Sequence, residues 1–253
     1  MGHLARTSVL AKELAKFTEV KYICSNYYQE GIAFIRQKGF EVMEVEDVYV
    51  SLLKLEAECL ITDHYGIDQE YIEGVRKHFP FVGYIDDNAE KSYKADFILN
   101  QNYGISIECY KNSMSCELLL GTRYILVRNE FQGIEPIVIH EKVRNVFVTI
   151  GGTDTFNLME GLIEKLYVLP YEFYIVIGGG FPHKDKVIEK YKHYENIHFE
   201  IMPKMSDLAQ KCDLAISSCG GTLYELGLVG VPTIGITVAD NQRALAIRIN
   251  QYG

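Results

Sequence analysis

Near the carboxyl end, the stretch Ile216-Ser217-Ser218-Cys219-Gly220-Gly221-Thr222-Leu223-Tyr224-Glu225 passes from strand-forming and small residues into helical period. Such a turn lets backbone approach a phosphate. Gly220 and Gly221 remove side-chain bulk, the first amides of the helix point at the ligand, and the macrodipole favours a negative group. Thr222 can cap the helix or bond a phosphate oxygen, and Glu225, one turn in, can accept hydrogen bonds from a ribose diol. A tight strand-helix turn with an exposed Glu225 would account for the same letters. Thr149-Ile150-Gly151-Gly152-Thr153-Asp154 repeats the arrangement, and Ile177-Gly178-Gly179-Gly180 is a third glycine turn. Three such turns suggest a nucleotide crevice, with Gly151, Gly152 and Asp154 among its binding candidates. Neither Gly-x-Gly-x-x-Gly nor Gly-x-x-x-x-Gly-Lys-[Ser/Thr] is matched, which argues against a dinucleotide fingerprint and a P-loop.

Further on, the run from Pro232 to Gln242 reads as a buried strand followed by two amides at a helix start. Asn241 and Gln242 can hold a ligand by hydrogen bonds without charge, or one of them, or Asp240, is an ordinary cap. In the amino-terminal half the polar groups at the ends of elements are Gly2, His3 and Arg6, then Asp63, His64 and Tyr65, then Asp86 and Asp87. His3 stands out because a neutral imidazole in a glycine turn at a helix start can face a cleft and abstract a proton near neutral pH. A lone histidine near a terminus is otherwise a solvated bystander. Arg6, one helical turn on, can bind an anion or pair with an acid; Asp63 and Asp86 can orient a base, bind sugar hydroxyls, or cap.

Short β-branched or aromatic runs alternate with stretches of helical period along the chain, the pattern of parallel strands joined by crossover helices. The fold class is α/β. Strands are expected at 20–24, 59–62, 81–85, 97–99, 146–150, 173–177, 197–201, 214–217 and 233–236, and helices at 4–17, 31–38, 69–78, 156–166, 184–193, 205–211, 222–229 and 241–251. The pattern lapses after Asn129 and restarts at Val146. It predicts an amino-terminal domain over 1–133 on the sugar and catalytic side, a linker over 134–144, and a carboxyl-terminal, nucleotide-binding domain over 145–253. Each is expected to be a doubly wound, Rossmann-like sheet, the two facing a cleft. Helical period begins almost at residue 1 with no strand before it, and the last residues stop in or just after a helix, so a fragment trimmed at both ends is expected.

The composition narrows the partners. The 253 residues are 48% apolar and 23% charged, enough for a sizeable core. With 25 Lys and Arg against 34 Asp and Glu the net charge is −9, which repels a polyphosphate backbone, so nucleic acid is not expected as a partner. No apolar run approaches the ~18 residues a membrane span requires, and no signal peptide is evident, so membrane insertion is not expected. The six cysteines form no Cys-x-x-Cys pair and read as buried free thiols of a cytoplasmic protein. Neither His-Glu-x-x-His nor Asp-x-Asp occurs, and no metal is expected.

Together these pieces resemble the GT-B-type family of nucleotide-sugar hydrolases of pseudaminic acid biosynthesis and the related spore-coat polysaccharide proteins. The carriers are Gly2-His3-Leu4-Ala5-Arg6, for the family's G-x-G-H-x-x-R turn, Thr62-Asp63-His64-Tyr65, Tyr84-Ile85-Asp86-Asp87, and Ala95-Asp96-Phe97-Ile98-Leu99-Asn100. They continue through Leu120-Gly121-Thr122-Arg123-Tyr124, Val127-Arg128-Asn129-Glu130-Phe131 and Ile150-Gly151-Gly152-Thr153-Asp154 to Gly220-Gly221-Thr222-Leu223-Tyr224-Glu225 and Asn241-Gln242. The last two also resemble the donor site of the peptidoglycan N-acetylglucosaminyltransferase. The resemblance implies metal-independent, cofactor-free hydrolysis of a UDP-linked 2,4-diacetamido-2,4,6-trideoxyhexose to UDP and free sugar. By the same resemblance His3 would be the general base, with Tyr65 near the sugar. Gly220, Gly221 and Thr222 would hold the diphosphate, Glu225 the ribose, and Asn241 and Gln242 the phosphate and sugar side. A glycosyltransferase with a UDP-sugar donor, or a nucleotide-sugar-binding protein without catalysis, are the competing readings. The first glycine of the G-x-G-H turn and the strand before it are absent from this sequence.

Overall fold

The computed structural model describes residues 2–89, 93–110, 116–154, 156–181 and 183–252. Its contacts divide the chain into two units, His3–Leu126 with the chain end from Ile247 on, and Val127–Ala246.

The amino-terminal unit runs α1 (Gly2–Leu14), β1 (Lys21–Ser25), α2 (Gln29–Gln37), β2 (Glu41–Val45), α3 (Val48–Leu52), β3 (Cys59–Thr62), α4 (Gln69–Val75), β4 (Phe81–Ile85), β5 (Phe97–Asn100) and β6 (Glu117–Leu120). Strands β3, β4, β5 and β6 form a parallel sheet in that order, and β1 pairs in parallel with β2 as a separate two-stranded sheet. Ile72, Val75, Val82, Ile98 and Tyr110 centre the larger core, while Ile32, Ile35 and Val42 make a smaller one between α2 and β2. In α1 the hydroxyls of Thr7 and Ser8 donate back to the carbonyls of His3 (2.9 Å) and Ala5 (2.7 Å), which lets these polar residues sit inside a helix. The side chains of Asp47 and Asp68 cap α3 and α4 by accepting from the amides of Val50 and Tyr71.

The carboxyl-terminal unit runs β7 (Asn145–Thr149), α5 (Leu158–Leu166), β8 (Glu172–Ile177), α6 (Lys184–Tyr191), β9 (Ile197–Ile201), α7 (Met205–Ala209), β10 (Leu214–Ser218), α8 (Gly221–Val229), β11 (Thr233–Ile236) and α9 (Arg243–Tyr252), the last helix passing at its end into the other unit. Its parallel sheet has the order β11-β10-β7-β8-β9. The sheet is buried on both faces: Val146 and Val148 of β7 join a cluster with Met159, Ile163 and Ile175, and Phe147 between them joins another with Leu208, Leu226 and Val229. The chain winds from β7 toward β9, then returns to lay β10 and β11 on the other side, so the order reverses between β7 and β10. In doubly wound sheets ligands gather outside the carboxyl ends of the strands at such a point.

All nine expected strands and all eight expected helices are present. Strands β2 and β6 and helix α3 are additional. Gly2 and His3 lie within α1, not in a turn before it. The six cysteines are free, but only Cys212 and Cys219 are buried; Cys59, at the start of β3, and Cys109, in a 3-10 turn, are exposed.

Candidate functional sites in the two units

In the amino-terminal unit, five side chains from α1 and the loops after β3 and β4 are joined. Asp63, one residue beyond β3, accepts at Oδ1 from His3 Nδ1 (2.6 Å) and Arg6 Nη2 (2.5 Å), and at Oδ2 from Arg6 Nε (2.7 Å). The remaining arm of Arg6 donates from Nη1 to Asp87 Oδ1 (2.5 Å), and Asp87 Oδ2 accepts from the Tyr65 hydroxyl (3.0 Å). The Tyr65 ring closes the circle by standing edge-on to the His3 imidazole, with centroids 4.7 Å apart. Helical spacing places His3 and Arg6 on one side of α1, and parallel pairing of β3 and β4 sets Asp63 beside the Asp86-Asp87 turn.

The protons follow from charge. Burial works against an ionised Asp63, but the hydrogen bonds and charges of Arg6 and His3 outweigh it and hold the carboxyl below the usual carboxylate range. An ionised Asp63 has no proton to give, so His3 Nδ1 is the donor in their bond, and the lone pair of an uncharged ring would be on Nε2. Burial likewise works against the Arg6 charge, and the two carboxylates raise it well above its ordinary value. Burial first, and Asp87 second, push the Tyr65 hydroxyl up, so it is a poor acid and its own proton is given to Asp87. His64 is set differently: its Nδ1 accepts from the Gly66 amide (3.1 Å), and burial lowers its pKa.

Asp86 supports the turn from below. It is buried, and it accepts from the amides of Asn88 and Ala89 (both 3.0 Å) and from the Tyr110 hydroxyl (2.6 Å). Asn102, two residues beyond β5, ties the same turn by donating to the Asp87 carbonyl (2.8 Å). A cavity of about 490 Å³ lies in this unit, lined by Tyr49, His64, Asp68 and Tyr71 among others, and none of the five joined residues lines it.

In the carboxyl-terminal unit, the turns after β7 and β10 lie side by side where the strand order reverses. Gly151 has φ +104, a conformation open to glycine, and the Ser218 hydroxyl lies 3.8 Å from where its Cβ would be. A Cβ on Gly178 would stand 2.6 Å from the Gly152 Cα, so the second and third glycine turns touch through backbone. Gly220 precedes α8 in extended conformation, and no side chain caps the helix. A Cβ on Gly221 would meet nothing within 4 Å. Gln242 spends its Oε1 on the Val238 amide (3.0 Å) and turns Nε2 toward Gly220, 3.7 Å from that residue's Cβ position; Asn241 precedes it in a 3-10 turn. Thr222 is half-buried on the first turn of α8.

Two predicted binding residues have other partners. Asp154 is buried and caps α5 by accepting from the amides of Leu158 (2.8 Å) and Met159 (3.0 Å). Glu225 is buried, not exposed, and is gripped by Arg128, from Nε to Oε1 at 2.8 Å and from Nη2 to Oε2. Arg128 was only a letter of a longer motif in the sequence, its partner Glu225 lying 97 residues away; Asp87 was a candidate without assigned partners, which lie 81 and 22 residues away. Among the described residues no group of three or more His, Cys, Asp or Glu is placed to hold a metal ion, and no helix is long and apolar enough to cross a membrane.

The parallel sheets and their helices define a GT-B-type fold: the chain superimposes over 99% of its length on MurG of Acinetobacter baumannii, with a TM-score of 0.64 at 14% identity, covering 80% of that chain. The UDP-GlcNAc 2-epimerase of Neisseria meningitidis, solved with UDP-GlcNAc, matches with a TM-score of 0.51 at 11% identity over 96% of this chain and 82% of its own. In sequence the chain is similar to the Bacillus subtilis spore coat polysaccharide biosynthesis protein SpsG, at 24% identity over 97% of this chain and 76% of SpsG. It is also similar to the Helicobacter pylori pseudaminic acid cytidylyltransferase and UDP-2,4-diacetamido-2,4,6-trideoxy-beta-L-altropyranose hydrolase, at 25% identity over 96% of this chain and 49% of that one. An uncharacterized Methanocaldococcus jannaschii protein is 26% identical over 96% of this chain and 54% of its own. The chain thus spans about half the length of the last two. The resemblance carried by the motifs is met by relatives bearing those names, while no protein-family model matches.

Proposed function

We propose that the protein processes a nucleotide sugar in polysaccharide or nonulosonic acid biosynthesis, and that it hydrolyses a UDP-linked 2,4-diacetamido-2,4,6-trideoxyhexose to UDP and free sugar. The observation that carries this reading is the 2.6 Å bond between His3 Nδ1 and Asp63, which leaves Nε2 as the basic atom. His3 accepts a proton from water as the water attacks the anomeric carbon. Asp63 fixes the ring's tautomer and balances the imidazolium that forms, the division of labour in histidine–carboxylate pairs generally. Tyr65 supplies an aromatic wall beside the imidazole. UDP leaves as a stable anion, so no second carboxylic acid is required to protonate it.

The diphosphate is assigned to the turn at Gly220, Gly221 and Thr222, where bare helix amides supply positive potential to a chain of net charge −9. Glu225 takes the ribose, and Asn241 with Gln242 the phosphate and sugar side. Gly151 and Gly152 form the neighbouring wall of the turn. The test is to mix the protein with UDP-linked diacetamido sugars and no acceptor, and follow UDP by NMR. Prompt release of UDP is expected; release only when an acceptor alcohol is added would establish a transferase, and binding without turnover a binding protein. His3→Ala should abolish release while keeping UDP affinity, and unchanged turnover in that variant would remove His3 from the chemistry.

A further inference from the structure

A carboxylate close to a diphosphate site is an electrostatic problem. Glu225 stands four residues beyond Gly221 on α8, about 6 Å along the helix axis at the usual rise. The partial positive charge of a helix start is roughly half an elementary charge, less than one bare carboxylate at that separation would oppose. We propose that Arg128 is a positioning residue for this site: it holds the Glu225 carboxylate in the orientation that a ribose diol meets and cancels its charge, so that a diphosphate can be seated one helical turn away. This rests on the nucleotide reading of the turn given above.

The geometry suits both tasks. Arg128 Nε and Nη2 take one oxygen each, a fork that fixes the plane of the carboxylate, and the Arg128 amide adds a third bond to Oε1 (3.3 Å). Those three bonds use both lone pairs of Oε1 and one of Oε2, so Oε2 retains one for a hydroxyl. The arginine is itself fastened. Its guanidinium lies over the Phe131 ring, 5.3 Å from the centroid, and Phe131 is buried in the same cluster as Leu226 and Val229 of α8. Glu130 approaches Nη1 at 3.4 Å. Burial disfavours the Arg128 charge, but the bonds and charge of Glu225 outweigh it and hold the guanidinium above its ordinary range.

The experiment compares affinities for UDP and for uridine by calorimetry, because their ratio isolates the diphosphate. In Arg128→Met the ratio should fall about tenfold or more, since a bare Glu225 then opposes the diphosphate and leaves the nucleoside nearly indifferent. In Glu225→Gln, where Arg128 keeps only the Glu130 contact at 3.4 Å, the ratio should rise above that of the parent even as both ligands lose the ribose contact. Arg128→Met/Glu225→Gln should return it to the parent's value. Because the Gln variant is close in shape to the parent, it keeps the comparison open should Arg128→Met fail to fold. A parent that binds UDP, with a ratio unmoved by these changes, would overturn the role of Arg128 alone. A parent that binds neither UDP nor uridine would overturn the nucleotide reading and this inference with it.

Discussion

At the scale of residues, Asp63 organises the amino-terminal cluster, since His3 and Arg6 both donate to it and Arg6 reaches on to Asp87. Asp63→Asn can accept from only one of these donors at full strength and loses control of the imidazole tautomer. Turnover of the nucleotide sugar should fall by about 10² to 10⁴, with a smaller change in KM. The same carboxyl also carries a pH signature. A folded-state pKa below the unfolded value adds stability that is complete above the unfolded value, near pH 4, and is lost as pH falls through the lower folded-state value. Urea unfolding between pH 6 and 3 should therefore weaken more steeply in the parent than in Asp63→Asn, which starts about 2 kcal/mol less stable at neutral pH. His3, Arg6, Asp63 and Tyr65 were legible as candidates because polar residues at the ends of strands and the start of a helix are where such folds keep chemistry. Their mutual bonds were not legible, because His3 and Asp63 are 60 residues apart, one on helix α1 and the other just beyond β3, and only the tertiary fold brings them together. Asp154 shows the converse: a carboxylate beside a glycine turn reads as a ligand for substrate, and the two α5 amides that it accepts from were not legible.

At the scale of elements, two glycines of similar appearance should behave in opposite ways. Gly178→Ala forces a methyl against the Gly152 backbone and should cost about 1 to 3 kcal/mol in thermal or chemical unfolding. Gly221→Ala places its methyl in open space at the first residue of α8, so stability should hold or rise slightly, while UDP affinity falls because the methyl intrudes where a phosphate is expected. Equal effects of the two on stability would remove the distinction. Asp154→Ala should cost about 1 kcal/mol through loss of the α5 cap. The strands were readable because buried parallel strands such as β7 and β8 are nearly continuous Val, Ile and Phe. Strand β2 escaped because Glu41 and Glu44 break its apolar run, which only Val42 carries into the core. Helix α3 has Val48, Tyr49 and Val50 where strand formers are expected, and owes its turn to the Asp47 cap.

For the whole molecule, the path of the chain matters as much as its sheets. Residues from Ile247 onward pack with the unit that begins at His3, and the aliphatic part of Arg248 lies 3.1 Å from where Gly104 would carry a Cβ. Removing that last segment should raise hydrogen exchange around Gly104 and lower the stability of the amino-terminal unit, leaving the carboxyl-terminal sheet protected; the reverse pattern would show that α9 belongs to its neighbours in sequence. This return also sets an order of events during synthesis. The residues from Ile247 on are translated only after all of Val127–Ala246, so the contacts they make with the unit that begins at His3 form late. At ordinary elongation rates that is a delay of roughly ten seconds, during which the contact between Arg248 and the Gly104 turn is unmade.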